Sequence, residues 1–175
     1  MATFEPSSLT GRERSFSPDE FIVSKTDTRG IITYANDVFL RIADYTALEV
    51  LGKPHNIIRH PHMPRCVFKV LWQRIKTGEE IFAYVINRTK FGDHYWVLAH
   101  VTPSVDASGA VIGYHSNRRV PKPGVIAIIE PFYQTLRAME LSASSSQAGL
   151  EASSQALQTW VSQNGGNYDA LILSL

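Results

Sequence analysis

The sequence predicts an α+β fold: a five-stranded antiparallel sheet with helices on one face, followed by C-terminal helices. Three observations carry this reading. Runs of β-branched and aromatic residues occur twice before a stretch of helical periodicity and three times after it. Within each group the runs are joined by short turns rich in Gly and Asp, as hairpins require. Apolar residues make up 44% of the chain, enough for a core and too many for wholesale disorder. Two strands, a few helices and a three-strand meander bury their apolar faces best as a sheet covered on one side.

The elements follow in order. Residues 1–18 are polar, with no periodic pattern, and read as a flexible N-terminal arm. Phe21–Thr26 alternates as a strand, Asp27-Thr28-Arg29-Gly30 turns, and Ile31–Tyr34 returns as its hairpin partner. Asn36 is placed to cap a short helix over Asp37–Ala43. Thr46 and Glu49 stand at capping-box spacing, and Gly52 ends that small helix. A Pro- and His-rich connection, Lys53–Pro64, leads into a longer helix with Pro64 as its first residue. Val67, Phe68, Leu71, Trp72 and Ile75 recur at helical spacing until Gly78. Three strands follow, Ile81–Thr89, Tyr95–Pro103 and Val111–Arg118, turned at Phe91-Gly92-Asp93 and Asp106–Gly109. The central domain spans residues 19–120 and Pro121–Gly124 breaks it off. Residues 121–175 form a helical segment. Val125–Met139 is amphipathic, with Pro131 expected to kink or delay it, and Ala143, Leu150 and Leu157 repeat every seven residues.

Composition narrows the function. Seventeen Lys and Arg against sixteen Asp and Glu give a net charge of +1, so no general field draws in nucleic acid or an anionic membrane. One Cys excludes a disulfide framework and a Cys-cluster metal site. No apolar run reaches the ~18 residues of a membrane span, and no secretory h-region opens the chain, so a cytoplasmic protein is expected. Nucleotide-fold, kinase and hydrolase motifs are absent, and no catalytic role is expected.

Tyr34-Ala35-Asn36-Asp37, with Phe39 and Asp44-Tyr45-Thr46 after it, resembles the start of a PAS domain. His55-Asn56, Arg59-His60-Pro61, Met63-Pro64, Asn87-Arg88, Gly92–Val97, Val101-Thr102-Pro103 and Glu130–Tyr133 resemble the PAS domain of the aerotaxis-transducer chemoreceptors. The resemblance covers roughly residues 22–140. It implies a redox or oxygen sensor that holds FAD non-covalently between sheet and helices and signals to a chemotaxis-type partner. It also implies Arg59, His60, His62, Trp72 and Asn87 as cofactor-binding residues. Arg59 could clamp a pyrophosphate, aided by the positive end of the helix beginning at Met63-Pro64, and Asn87 offers the donor and acceptor that a flavin edge needs. Two positions differ from the family pattern: His62 stands where Asp is usual, and Ile81 where Trp is usual.

Two alternatives stand beside the flavin reading. One is a haem-binding PAS oxygen sensor, with His55, His60 or His62 on the iron and Met63 as a second ligand. The other is a cofactor-free PAS dimerising adaptor. No zinc site is expected from these His residues. Cys66 lies between Arg65 and Val67, outside the Asn-Cys-Arg motif of light-sensing relatives, and reads as an inert thiol. The C-terminal helices carry more apolar surface than one small sheet covers, and a homodimer built from them is expected.

Overall fold

The computed structural model describes residues 9–175. The element order is β1 (Ile22–Thr26), β2 (Ile32–Ala35), α1 (Asp37–Ala43), α2 (Ala47–Val50), a 3-10 turn (His55–Ile58), α3 (Arg65–Lys76), β3 (Ile81–Arg88), β4 (His94–Val105), β5 (Val111–Arg119), α4 (Ile126–Ser142), α5 (Ser146–Gln163) and α6 (Tyr168–Ser174). The five strands form one antiparallel sheet in the order β2-β1-β5-β4-β3, which places β5 at the centre.

Local signals in the sequence act as expected at several points. The Asn36 side chain accepts from the Phe39 N–H at 3.0 Å and fixes the start of α1. It also ties α1 to β1, accepting from Val23 N–H at 3.0 Å. Glu49 accepts from the Thr46 N–H at 2.9 Å and from its hydroxyl at 3.0 Å. Gly30 closes the β1–β2 turn at φ 80°, and a Cβ there would sit 3.1 Å from the Trp72 ring. Glycine therefore serves both the turn and the seating of α3 on it.

The structure departs from the expectations in four places. Residues 10–16 are not loose. The Thr10 N–H donates to Gly92 at 3.0 Å, His94 donates to Arg12 at 2.9 Å, and Arg14 donates to His94 at 2.7 Å. Phe16 is 7% exposed in the core. The rest of the expected arm, residues 1–8, lies outside the described residues. Pro131 lies inside α4, which begins at Ile126 without delay. Ala143 falls in the break after α4, so it does not belong to one stripe with Leu150 and Leu157 on α5. Residues 168–174 form a further helix, α6.

The C-terminal helices pack on their own domain. Ile129, Tyr133, Leu136, Leu157 and Ile172 are buried in the same core as β3 and β4. The Tyr133 hydroxyl donates to the Tyr84 carbonyl at 2.8 Å, and the Phe82 N–H donates to the Asp169 carboxylate at 3.1 Å. Tyr133 of α4 and Asp169 of α6 thus each meet one backbone group of β3, the sheet's last strand. On the opposite side, Ile32 of β2 donates to Lys53 and accepts from Gly52, each at 2.9 Å. The apolar load that sequence alone assigned to a dimer is largely carried within one chain. Ile128, Leu141 and Leu173 are the large apolar residues these helices leave exposed.

Candidate functional site

A cavity of about 370 Å³ lies between the inner face of the sheet and α3. Alternation along the strands puts Ser24, Val85, Asn87, Ala99, Ser116 and Arg118 on its floor. The segment Pro54–Arg59 and the Phe68, Leu71 and Trp72 face of α3 close the other side. Trp72 is held edge-on against Tyr114, with centroids 5.5 Å apart.

Of the five residues implicated from sequence, the structure brings three together. Arg59, Trp72 and Asn87 line the cavity. Arg59 follows the 3-10 turn, pairs through its backbone with Asn87 of β3, and holds its guanidinium 4.4 Å over the Phe68 ring. Burial lowers its pKa from the usual arginine value. Asn87 is buried, and its Nδ2 has no hydrogen-bond partner among the described residues.

His60 and His62 are not among the lining residues. His60 is 3% exposed, accepts from the His62 N–H at 3.2 Å, and stands edge-on to His62 and His94 at 4.8 and 5.8 Å. Burial, with these two rings beside it, pushes its pKa down to about 3. Among the described residues no group of three His, Cys, Asp or Glu side chains could hold a metal ion.

Two cavity residues, Arg118 and Ser24, escaped the sequence reading, and a third, His55, entered it only through the motif and as a candidate haem ligand. Arg118, on the central strand, is 2% exposed. It donates to the Ser24 hydroxyl and its guanidinium lies 5.2 Å from the Phe39 ring, while Nε and Nη1 have no partner among the described residues. Burial lowers its pKa to about 10, which leaves it charged at neutral pH. Ser24 links Arg118 to His55, whose Nε2 is 2.9 Å from the Ser24 hydroxyl. Burial first, and the Arg118 charge second, push His55 down to about 3, so it is neutral. The available signal was period-two alternation through Tyr114, Ser116 and Arg118, which puts the Arg on the inner face.

Among the described residues the lining contains Arg29, Arg59, Arg65, Lys69 and Arg118 and no carboxylate. Arg29 is paired with Asp27 and Arg65 with Glu140. Among the described residues Arg59, Lys69 and Arg118 have no carboxylate within ion-pair distance. The start of α3 does not face a ligand with free amides. Glu140 of α4 accepts from the N–H groups of both Arg65 and Cys66. Cys66 is buried outside the lining, and desolvation pushes its thiol up to about 11.

Residues 32–118 match the PAS fold family. The chain is 41% identical over 130 residues to the aerotaxis receptor of Escherichia coli K12, covering 74% of this chain and 26% of the receptor. It is 28% identical over 97 residues to a nitrogen fixation regulatory protein of Klebsiella pneumoniae, covering 55% of this chain and 20% of that protein. The chain thus spans about a quarter or less of the length of these relatives. In structure, the light-oxygen-voltage domain of the blue-light photoreceptor Aureochrome1 in its dark state superposes with a TM-score of 0.54 at 22% identity, covering 63% of this chain and 81% of that one. This chain belongs to the PAS family, and its PAS domain is of the aerotaxis-receptor type.

Proposed function

We propose that the chain is the input domain of a redox or oxygen sensor. It binds FAD non-covalently in the cavity described above, works in the cytoplasm without catalysis of its own, and passes its state to a chemotaxis-type signalling protein. One observation carries this reading: the cavity wall offers buried donors and positive charge with nothing among the described residues to receive them. Buried polar groups are almost always paired, so unpaired donors around a cavity point to a ligand rich in acceptors.

The residues fit a flavin dinucleotide. Asn87 can give a hydrogen bond to the carbonyl-bearing edge of the ring. Arg59 and Lys69, partly exposed and lacking a carboxylate, suit the pyrophosphate. Phe68, Leu71, Trp72 and Val85 supply apolar walls and exclude water from the ring. When bound, the flavin supplies reversible electron uptake. Among the described residues no helix is long and apolar enough to cross a membrane. The haem reading is less well supported, since His60, His62 and Met63 are absent from the lining and His55 is engaged by Ser24.

An absorption spectrum of the full chain, purified without added cofactor, tests the proposal. Flavin bands that leave with FAD on mild denaturation are expected. A Soret band would turn the assignment to haem. A colourless protein that takes up no FAD at micromolar concentration would overturn the sensor reading in favour of the cofactor-free adaptor. A homodimer through the C-terminal helices would have to use the exposed Ile128, Leu141 and Leu173, and light scattering reads it directly.

A further inference from the structure

Arg118 poses a problem that the fold does not solve. A guanidinium in the centre of a sheet must be desolvated, and proteins normally offset this with a carboxylate. Here β5 pairs Arg118 with Ile22 on one side and Ala99 on the other, and neither can neutralise it. Its protein partners are one serine hydroxyl and the face of Phe39. The nearest titratable member of this hydrogen-bonded chain, His55, is neutral. Nε and Nη1 are both buried and unpartnered, Arg118 lines the cavity, and Asn87 brings a third unpartnered nitrogen to the same wall.

We propose that Arg118 is a ligand-binding and specificity residue, whose buried guanidinium receives a carbonyl or anionic acceptor on the ring of the bound cofactor. This rests on the flavin reading given above. Ser24 is the positioning residue, holding one arm of the guanidinium and leaving Nε and Nη1 for a ligand. The cavity selects a ring with acceptors at its inner end and rejects one that presents a donor there, because two donors would then meet without water. A fixed positive charge at that point also favours the ring in its more electron-rich form.

A purely structural Arg118 makes the opposite stability forecast. If it serves the ligand, it burdens the empty protein, and an apolar side chain of similar length relieves that burden. If it serves the fold, its loss destabilises the empty protein.

The experiment uses the full chain stripped of cofactor, as wild type, Arg118→Met and Arg118→Lys. FAD affinity is read by titration, the melting temperature is read without ligand, and the midpoint potential of the bound flavin is read by equilibrium dye titration. Arg118→Met is expected to bind FAD about 10- to 150-fold more weakly, the scale of a charge-assisted hydrogen bond. Its ligand-free form should melt at or above the wild-type temperature, and its bound flavin should have a more negative potential. Arg118→Lys should recover part of both. Wild-type affinity and potential in Arg118→Met would overturn the proposal alone, while the flavin reading stands. An Arg118→Met chain that fails to fold, or melts well below wild type without ligand, would overturn it in favour of a structural arginine. Failure of the wild type to bind FAD would overturn both.

Discussion

The Glu140 carboxylate of α4 accepts hydrogen bonds from the backbone N–H groups of Arg65 and Cys66, at 2.7 and 3.1 Å, and so caps the N-terminus of α3 from a distant part of the chain. Pro64 precedes that helix and has no side-chain donor or acceptor to cap it. Glu140 also accepts from Arg65 Nε, Arg137 Nη1 and the Ser153 hydroxyl, and its side chain is wholly buried. Gly149 permits this, since a Cβ there would lie 2.6 Å from the Glu140 carbonyl oxygen. The helix that walls the cavity is therefore anchored by the helices that follow the sheet.

Removing that carboxylate strands several donors at once. Glu140→Ala is expected to cost about 3 kcal/mol of stability, the scale for losing a buried charged acceptor. Chemical denaturation checks it. FAD affinity should fall as well, although Glu140 is outside the cavity lining, because α3 loses its anchor. Affinity unchanged in a folded Glu140→Ala chain would show that α3 holds its place without the cap.

Arg59 differs from Arg118 in exposure, and its variant should behave differently. Arg59→Ala is expected to weaken FAD by about 1.5–3 kcal/mol while leaving the ligand-free fold intact. Because Arg59 is partly exposed, its share of the binding should shrink as salt is raised. Titrations at low and high ionic strength check both points. Equal weakening at all salt concentrations would place the guanidinium in a dry contact.

Stability should fall with acid earlier than carboxylates alone would cause. His55 and His60 have pKa values lowered from 6.5 to about 3, chiefly by burial. Between those values the unfolded chain binds protons that the folded chain refuses, so stability rises with pH across that window and levels off above about 6.5. Roughly 1–2 kcal/mol is lost for each of them at pH 5 relative to pH 7. The lowered carboxylates, such as Glu49, start from 4.5 or below and act mainly at lower pH. Denaturation curves of the wild type and His60→Asn between pH 7 and 5 isolate the effect. Parallel curves for the two proteins would remove His60 from the account.

Cys66 should resist thiol reagents in the folded protein. Its thiol is buried and its pKa pushed up to about 11, so little thiolate exists at neutral pH. Labelling should track unfolding, and illumination of flavin-loaded protein should produce no thiol adduct. Rapid labelling under native conditions would mean that the start of α3 opens on its own.

Ending the chain after Val120 removes both the Glu140 cap and the groups that meet the outer edge of β3. A shortened chain should melt well below the full one and scatter light as an aggregate at tens of micromolar. A monodisperse shortened chain of undiminished stability would show that the C-terminal helices are accessory to the fold.

The turns and caps of the central domain were legible because each rests on a few adjacent residues: Gly30 and Gly109 in their turns, Asn36 and Thr46–Glu49 at helix starts. Arg59, Trp72 and Asn87 were legible through motif resemblance, and they do meet at one cavity. What stayed hidden depends on long-range partners. Residues 10–16 look unpatterned, yet they gain order from β4, which no local signal announces. Glu140 reads as one charge on an amphipathic helix until α3 is seen end-on to it. His60 shares a motif with Arg59, but adjacent residues in an irregular segment point different ways. Arg118 followed a legible alternation, yet an Arg near a strand end is more often a solvated one, and its next neighbour Arg119 is exposed.

The sheet meets its own chain at both margins. Asp169 takes the Phe82 N–H and Tyr133 the Tyr84 carbonyl of β3, and Gly52 and Lys53 take the backbone groups of Ile32 on β2. A strand from another molecule therefore meets a helix or a loop of this chain at these points, and β-augmentation there would require that segment to be displaced first. The same coverage stands against edge-to-edge polymerisation of the sheet at these points.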